Sequence, residues 1–154
     1  MSREVFVLSS QIVVSREPLV LTTVVGSCVA VCLYDHVHRV GGMSHFLLPH
    51  ADSASRLGLP LGKYGDVAIP ELLRRLETLG ADRATTVAKI AGGASILSIS
   101  SHNHIPDENV RSARAALAIL GLPVVSQDVG GTKGRKVVFA TDSGQVTVNG
   151  ERRL

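Results

Sequence analysis

Short apolar stretches alternate with turn residues through the first third of the chain. Val, Ile, Leu and Thr dominate these stretches, and Gly, Pro, Ser and Asp separate them. Such a pattern is typical of β-strands that are buried on one or both faces. We predict five strands here, at Glu4–Ser9, Gln11–Val14, Leu19–Val25, Cys28–Tyr34 and Val40–Leu48.

Two later segments carry apolar residues at the three- and four-residue spacing of an amphipathic helix. The first is predicted to begin at Asp66 as its N-cap and to end before Gly80. The second covers Pro106–Leu120, where acidic residues in the first turn suit the positive end of the helix dipole. Around these helices we predict strands at Thr85–Ala91, Pro123–Asp128, Arg135–Thr141 and Gln145–Asn149.

Length and composition favour a single globular domain over residues 1–154. The chain has 45% apolar and 19% charged side chains, which excludes a disordered protein. We find no internal repeat, no linker, no secretion signal and no apolar stretch long enough to span a membrane. We therefore expect a cytoplasmic protein whose two cysteines are free thiols, with a long loop from Pro49 to Gly65.

The net charge of +3 comes from one end of the chain. Residues 1–128 hold 11 basic and 11 acidic side chains, whereas residues 129–154 hold five basic and two acidic ones. A basic region of this kind suits an acidic partner. The chain has only five aromatic residues and no Trp, so we expect no binding of nucleic acid by base stacking.

The most distinctive local feature is the tripeptide Gly26-Ser27-Cys28. Two small residues before a cysteine leave the thiol open and let consecutive backbone N–H groups converge, as an oxyanion hole requires. The alternative is a small buried cysteine at the start of a strand. Cys32 lies about 13 Å further along the same strand, too far for a disulfide, and is expected to pack in the core.

A predicted hairpin brings a histidine towards this thiol. The strands that begin at Cys28 and Arg39 are joined by a four-residue loop. If Tyr34 opposes Arg39, then Cys28 opposes His45, close enough for a thiol–imidazole hydrogen bond. A five-residue loop would instead turn His45 to the other face, unless a bulge at Gly41-Gly42 restored the match.

Two other patterns are weighed and set aside. His102 and His104, near Asp107, suggest zinc, but their spacing fits neither a helical site nor a zinc finger, so we predict no metal. The stretch Gly130–Arg135 resembles a phosphate-binding loop, yet it lacks the required spacing and precedes a strand. We predict a tight turn with positive φ angles there.

Four blocks of sequence, taken together, form a recognisable pattern. They are Gly26–Asp35, Gly41–Pro49, Lys63–Pro70 and Asp128–Phe139, and they span nearly the whole chain. This pattern resembles the bacterial chemoreceptor glutamine deamidase family CheD. One block departs from the family, because similar proteins usually carry Gly-x-Arg-Asn where this chain has Pro106-Asp107-Glu108-Asn109.

The resemblance implies a fold and a set of site residues. The fold would be a layered α+β domain with a sheet or sandwich core and two main helices, similar to the catalytic domains of cytotoxic necrotising factors. The family nucleophile falls on Cys28, the histidine on His45 and the third catalytic member on Thr22, with Thr23 adjacent. Oxyanion support falls on Gly26 and Ser27, and candidates for the substrate groove are Ser44, His50, Lys63 and Tyr64.

The reaction implied is hydrolysis of glutamine side-chain amides to glutamate on cytoplasmic helices of chemoreceptors, without a cofactor. In this mechanism His45 takes the proton of Cys28, an ion pair keeps the thiolate populated near neutral pH, and Thr22 orients the imidazole. The family also implies a second partner, the CheC phosphatase. Two alternatives remain: an adaptor that mainly stimulates CheC, and a hydrolase of methylated receptor glutamates.

Overall fold

A computed structural model describes residues 3–52, 60–96 and 104–154 of the chain. Within these residues the chain forms ten strands and two α-helices. In chain order they are β1 Arg3–Phe6, β2 Ile12–Ser15, β3 Leu19–Val25, β4 Val29–Asp35, β5 Val40–Phe46, α1 Gly65–Thr78, β6 Thr86–Gly92, α2 Ile105–Ile119, β7 Val124–Val129, β8 Arg135–Ala140, β9 Val146–Val148 and β10 Arg152–Arg153.

The strands form two five-stranded sheets. Sheet A has the order β1-β3-β8-β9-β10, and sheet B has the order β2-β5-β4-β6-β7. Each sheet contains one parallel pair, β1 with β3 in sheet A and β6 with β7 in sheet B. The chain passes from sheet A to sheet B between β3 and β4, which are consecutive in sequence.

Two buried apolar clusters hold three layers together. One lies between the sheets and includes Leu21, Ala30 and Phe139. The other lies between sheet B and the two helices and includes Val31 and Leu72. Because alternate residues of a strand face opposite sides, β4 contributes to both clusters and is apolar along most of its length. The layer order is therefore sheet A, sheet B, helices, which confirms the expected α+β class.

The predicted strands and helices are of the correct type, with small errors in where they begin and end. β3 has the predicted bounds, and the second helix begins one residue early, at Ile105. The predicted N-cap at Asp66 is wrong, because α1 begins at Gly65 and Tyr64 occupies the cap. The Asp66 carboxylate instead accepts a hydrogen bond from the backbone N–H of Ala51, at 3.0 Å. The two-residue strand β10 was not predicted.

Two segments with predicted features lie outside the described residues. One is residues 53–59 of the long loop, and the other is residues 97–103, which include His102 of the zinc pattern that was set aside. Neither α1 nor α2, the two helices of the described residues, combines the length and apolar character that a bilayer span requires.

Candidate functional site

Gly26-Ser27-Cys28 forms the corner at which the chain leaves sheet A and enters sheet B. Backbone hydrogen bonds fix both ends of this corner. The Gly26 carbonyl accepts from the N–H of Ala94, and the Cys28 carbonyl accepts from the N–H of Gly93, each at 2.9 Å. The Cys28 side chain is half-buried and packs against the cluster between the sheets. The thiol therefore lies at the edge of the inter-sheet core.

The predicted pairing of Cys28 with His45 is wrong by two residues. In the β4–β5 hairpin, Ala30 lies opposite His45 and Asp35 lies opposite Val40. The strand extends to Asp35 because its carboxylate accepts from two backbone N–H groups of the turn, those of Val37 and His38. A shift of two residues keeps the face unchanged. Cys28 directly precedes β4, and His45 lies on the inner face of β5, so the two residues are offset along the hairpin rather than opposed.

Thr23 of β3 reaches the imidazole from the opposite sheet. Its hydroxyl oxygen lies 2.8 Å from Nδ1 of His45 and 2.7 Å from the carbonyl oxygen of Val7. A hydroxyl has one proton, and only that proton can join it to a carbonyl oxygen. Thr23 therefore donates to Val7 and accepts from Nδ1–H of His45. This tautomer leaves the lone pair of Nε2 free to act as a base.

The predicted role of Thr22 in orienting His45 is not supported by the geometry. The Thr22 hydroxyl donates to the carboxylate of Glu4 at 3.1 Å, and its carbonyl accepts from the N–H of Val7 at 2.8 Å. Neighbouring residues of a strand point to opposite faces, so only one of the two threonines can face the core. The alternation of β3 gives the signal, since Thr23 shares its face with Leu21 and Val25.

Burial leaves the thiol and the imidazole uncharged at neutral pH. It raises the pKa of Cys28 above the ordinary 9.0, although the Ser27 hydroxyl and the backbone N–H of Cys28 act in the opposite direction. It lowers the pKa of His45 below 6.5, although the nearby Val7 carbonyl, as an acceptor, favours the protonated imidazole. Among the contacts of the described residues, the thiol makes no hydrogen bond to His45. These directions oppose the predicted resting ion pair.

Cys32 is more deeply buried than Cys28. It is buried in the cluster between the sheets, where burial raises the pKa of its thiol to about 12. It is a free thiol, as is Cys28. The structure thus confirms the predicted packing role of Cys32.

Comparisons with known proteins match this chain to one family. A family model described as CheD chemotactic sensory transduction matches residues 47–150. The probable chemoreceptor glutamine deamidase CheD 1 of Anaeromyxobacter dehalogenans (strain 2CP-C) is 44% identical over 147 residues, which is 94% of this chain and 83% of that protein. The chain belongs to the CheD family.

Two further CheD proteins, both named probable chemoreceptor glutamine deamidase, show the same similarity. The protein of Methanococcus vannielii is 42% identical over 139 residues, 88% of this chain and 87% of that protein. The protein of Clostridium novyi (strain NT) is 40% identical over 139 residues, 88% and 85% of the two chains. These alignments cover most of the chain.

One structural comparison is weaker. The crystal structure of the Bacillus licheniformis hypothetical protein YfiH gives a TM-score of 0.49 at 14% identity, covering 79% of this chain and 50% of that one. A similarity of this size carries no functional inference. The expected likeness to cytotoxic necrotising factors stays a prediction.

Of the four residues predicted to line the groove of this CheD protein, Lys63 and Tyr64 contact each other, whereas Ser44 lies in the core. Ser44 is fully buried and opposes Val31, so it faces the helices and cannot line a groove beside Cys28. His50 is exposed at an apolar depression of about 350 Å³ between the helices, with Nδ1 3.8 Å from the Asp66 carboxylate. The structure thus corrects the prediction for Ser44 and moves His50 to the helix layer.

Lys63 and Tyr64 lie where β5 ends. The Lys63 carbonyl accepts from the N–H groups of Leu47 and Leu48, at 2.9 and 3.1 Å. The Lys63 ammonium lies 5.5 Å from the centre of the Tyr64 ring. Their contribution to a groove stays a prediction.

The predicted tight turn at Gly130–Arg135 is confirmed and lies near the Gly26–Cys28 corner. Gly130 and Gly131 have φ angles of 83° and 71°, which favour glycine. The Gly131 carbonyl accepts from Ser95, whose neighbour Ala94 binds the Gly26 carbonyl. The turn borders a depression of about 300 Å³ that Lys133 helps to line.

Proposed function

We propose that this chain, acting as a single domain, hydrolyses glutamine side-chain amides through Cys28. The observation that carries the proposal is the Thr23–His45 hydrogen bond, which leaves Nε2 free on the same inner face as the half-buried Cys28 thiol. A nucleophile, a base and a group that orients the base are the parts that covalent amide hydrolysis requires. The names of the CheD relatives support the same reaction.

In the first half of the reaction His45 accepts the thiol proton as the Cys28 sulfur attacks the carboxamide carbon. The carbonyl oxygen becomes an oxyanion, held by backbone N–H groups of the Gly26–Cys28 corner. His45 then returns the proton to the amide nitrogen, and ammonia leaves. Because the two residues are offset rather than opposed, this step includes a side-chain rotation that brings the Cys28 thiol to His45.

In the second half a water molecule cleaves the thioester. His45 removes a proton from the water, which attacks the acyl carbon, and the thiol receives that proton as it leaves. The net change is glutamine and water to glutamate and ammonia. No cofactor takes part in this proposed reaction.

The proposed substrates are glutamines on the cytoplasmic helices of chemoreceptors. The relatives are named for this substrate, and a cytoplasmic location follows from it. The basic side chains of residues 129–154 suit a Glu-rich helix, and Lys133 is exposed beside the corner that holds Cys28.

Ammonia release from a receptor cytoplasmic fragment tests the proposal. We expect Cys28→Ala to abolish release, because no other described thiol is accessible. Cys32→Ala is the matched control: it removes the other cysteine, buried in the core, and should keep the activity if the protein folds. Ammonia release by Cys28→Ala at the wild-type rate would refute the proposal.

A second candidate function is regulation of the CheC phosphatase, with deamidation secondary. The raised pKa of Cys28 and the absence of a hydrogen bond to His45 among the described contacts favour this candidate, since the resting thiol is not activated. CheC phosphatase activity, measured with wild-type chain and with Cys28→Ala, separates the two. An adaptor stimulates CheC equally with either protein, and the wild-type chain then releases little ammonia from receptors.

A further inference from the structure

We propose that Asn109 is a positioning residue that aims the backbone N–H of Cys28 at the oxyanion. The inference rests on the proposed deamidation, since an oxyanion forms only if Cys28 attacks an amide. Asn109 lies in the first helical turns of α2, on the far side of sheet B from the thiol. It acts through the backbone and does not touch the substrate.

The Asn109 amide joins the two chain segments that carry the catalytic pair. Its Nδ2 group donates to the carbonyl oxygens of Ser27 and Leu47, each at 2.9 Å. Ser27 directly precedes Cys28, and Leu47 is two residues beyond His45. Both N–H bonds of one side chain therefore fix the spacing of the thiol and the imidazole.

The orientation of this amide is unambiguous. Asn109 is fully buried, and its Oδ1 atom has no hydrogen-bond partner among the described residues. A flipped amide would place Oδ1 against two carbonyl oxygens, which only repel it. An unpaired buried oxygen costs stability, and the two hydrogen bonds that Nδ2 donates offset that cost.

The Ser27–Cys28 peptide transmits the effect to the site. In a trans peptide the carbonyl and the N–H point in opposite directions. Because Asn109 draws the Ser27 carbonyl towards the helix layer, the N–H of Cys28 points towards the inner face, where the thiol lies. The favourable effect of that N–H on the pKa of the Cys28 thiol agrees with this direction.

Among the described residues, a side chain rather than the backbone binds the Ser27 carbonyl. The carbonyls on either side, of Gly26 and Cys28, are held by the backbone N–H groups of Ala94 and Gly93. Substitution of Asn109 therefore releases one peptide of the corner and leaves its two neighbours fixed. Ser112, one turn later in α2, is a matched control: it is equally buried and donates to the carbonyl of Pro49 at 2.6 Å, away from Cys28.

The test compares Asn109→Ala with Ser112→Ala on a receptor fragment. Loss of one oxyanion donor lowers kcat by about a hundredfold or more, and we expect this for Asn109→Ala with KM unchanged. Alkylation of Cys28 by iodoacetamide forms no oxyanion, so we expect its rate to fall far less than kcat, by no more than the lost effect of the Cys28 N–H on the thiol pKa. Ser112→Ala should keep both kcat and the alkylation rate.

Three results would overturn the inference: wild-type kcat in folded Asn109→Ala, a parallel loss of kcat and alkylation, or an equal loss in Ser112→Ala. If the wild-type chain is active and one of these three results is found, the proposed deamidation is retained and the proposed role of Asn109 is wrong. An inactive wild-type chain overturns both.

A measurement on the wild-type protein covers the case in which Asn109→Ala does not fold. A receptor peptide that carries an aldehyde in place of the carboxamide adds to the Cys28 thiol and places its oxygen where the oxyanion forms. We expect the amide proton resonance of Cys28 to move downfield when this peptide binds, as a new hydrogen bond requires. A Cys28 resonance that stays in place in the adduct contradicts the proposal.

Discussion

His45 has a hydroxyl rather than a carboxylate as the partner of its Nδ1 atom. A neutral partner fixes the tautomer and the ring orientation but stabilises an imidazolium less than Asp does. Burial acts in the same direction and lowers the pKa of His45. The residue is therefore suited to carry a proton briefly during the reaction rather than at rest.

Replacement of each threonine by valine separates the two candidates for the orienting group. Thr23→Val leaves Nδ1 of His45 and the Val7 carbonyl without their shared partner, and we expect kcat to fall by about tenfold to a hundredfold, part of what general base catalysis supplies. Thr22→Val loses only the hydrogen bond to Glu4 and should stay active. Steady-state kinetics on a receptor fragment check this. A larger loss of kcat in Thr22→Val than in Thr23→Val would assign the orienting role to Thr22.

The pH dependence follows from the two shifted pKa values. The pKa of Cys28 is raised above 9.0, so its thiolate should form only at higher pH, and the lowered pKa of His45 should leave the base neutral down to a pH below 6.5. The difference in ultraviolet thiolate absorbance between wild type and Cys28→Ser reports the first ionisation. We expect none at neutral pH, whereas clear absorbance there would demonstrate the ion pair.

At the scale of single elements, the strands and helices could be predicted because each carries its own pattern. The hairpin register could not, because it depends on the Asp35 carboxylate, which binds the turn and extends β4 by one residue. A register predicted from turn length alone does not include that interaction. Strand alternation predicts that Thr23, rather than Thr22, faces the core. The family resemblance implies the other residue, Thr22.

The end of β6 shows how an element holds the corner that carries the nucleophile. Gly92 has a φ of 125°, and a Cβ atom there would collide with the carbonyl oxygen of Cys28. Gly121 has a φ of 71°, but a Cβ atom at that position would meet no other atom within 4 Å. A substitution at Gly121 therefore measures the backbone strain alone, without a collision.

We expect Gly92→Ala to lower the free energy of unfolding by more than about 1 kcal/mol and to reduce kcat, because both strain and collision act at Cys28. Gly121→Ala should cost about 1 kcal/mol, the strain of a left-handed residue, without an effect on kcat. Urea denaturation and kinetics give the two quantities. Equal effects of the two substitutions on kcat would show that Gly92 does not support the site.

At the scale of the whole molecule, the proposed site is the point where all three layers meet. Sheet A supplies Thr23, sheet B supplies Cys28 and His45, and the helix layer supplies Asn109. The bond from Asn109 to Ser27 spans 82 residues of sequence. No local pattern encodes such a contact, so the fold class was predictable while Asn109 was not.

The structure shows how two of the basic side chains in residues 129–154 are used. The basic excess of residues 129–154 includes Arg135, whose guanidinium binds the Asp128 carboxylate and the Gly130 carbonyl, and so is used within the turn. Lys133 is exposed at the depression beside the corner. The excess charge is thus partly structural, and Lys133 is the basic side chain of this turn that faces solvent for an acidic partner.

Mass spectrometry of a receptor cytoplasmic fragment, after incubation with the full chain, tests the central claim most directly. Each hydrolysed glutamine gains about one dalton as –NH₂ is exchanged for –OH. We predict this gain at defined glutamines with the wild-type chain and none with Cys28→Ser. An unchanged fragment after incubation with folded wild-type chain, or the same gain with Cys28→Ser, would contradict the account.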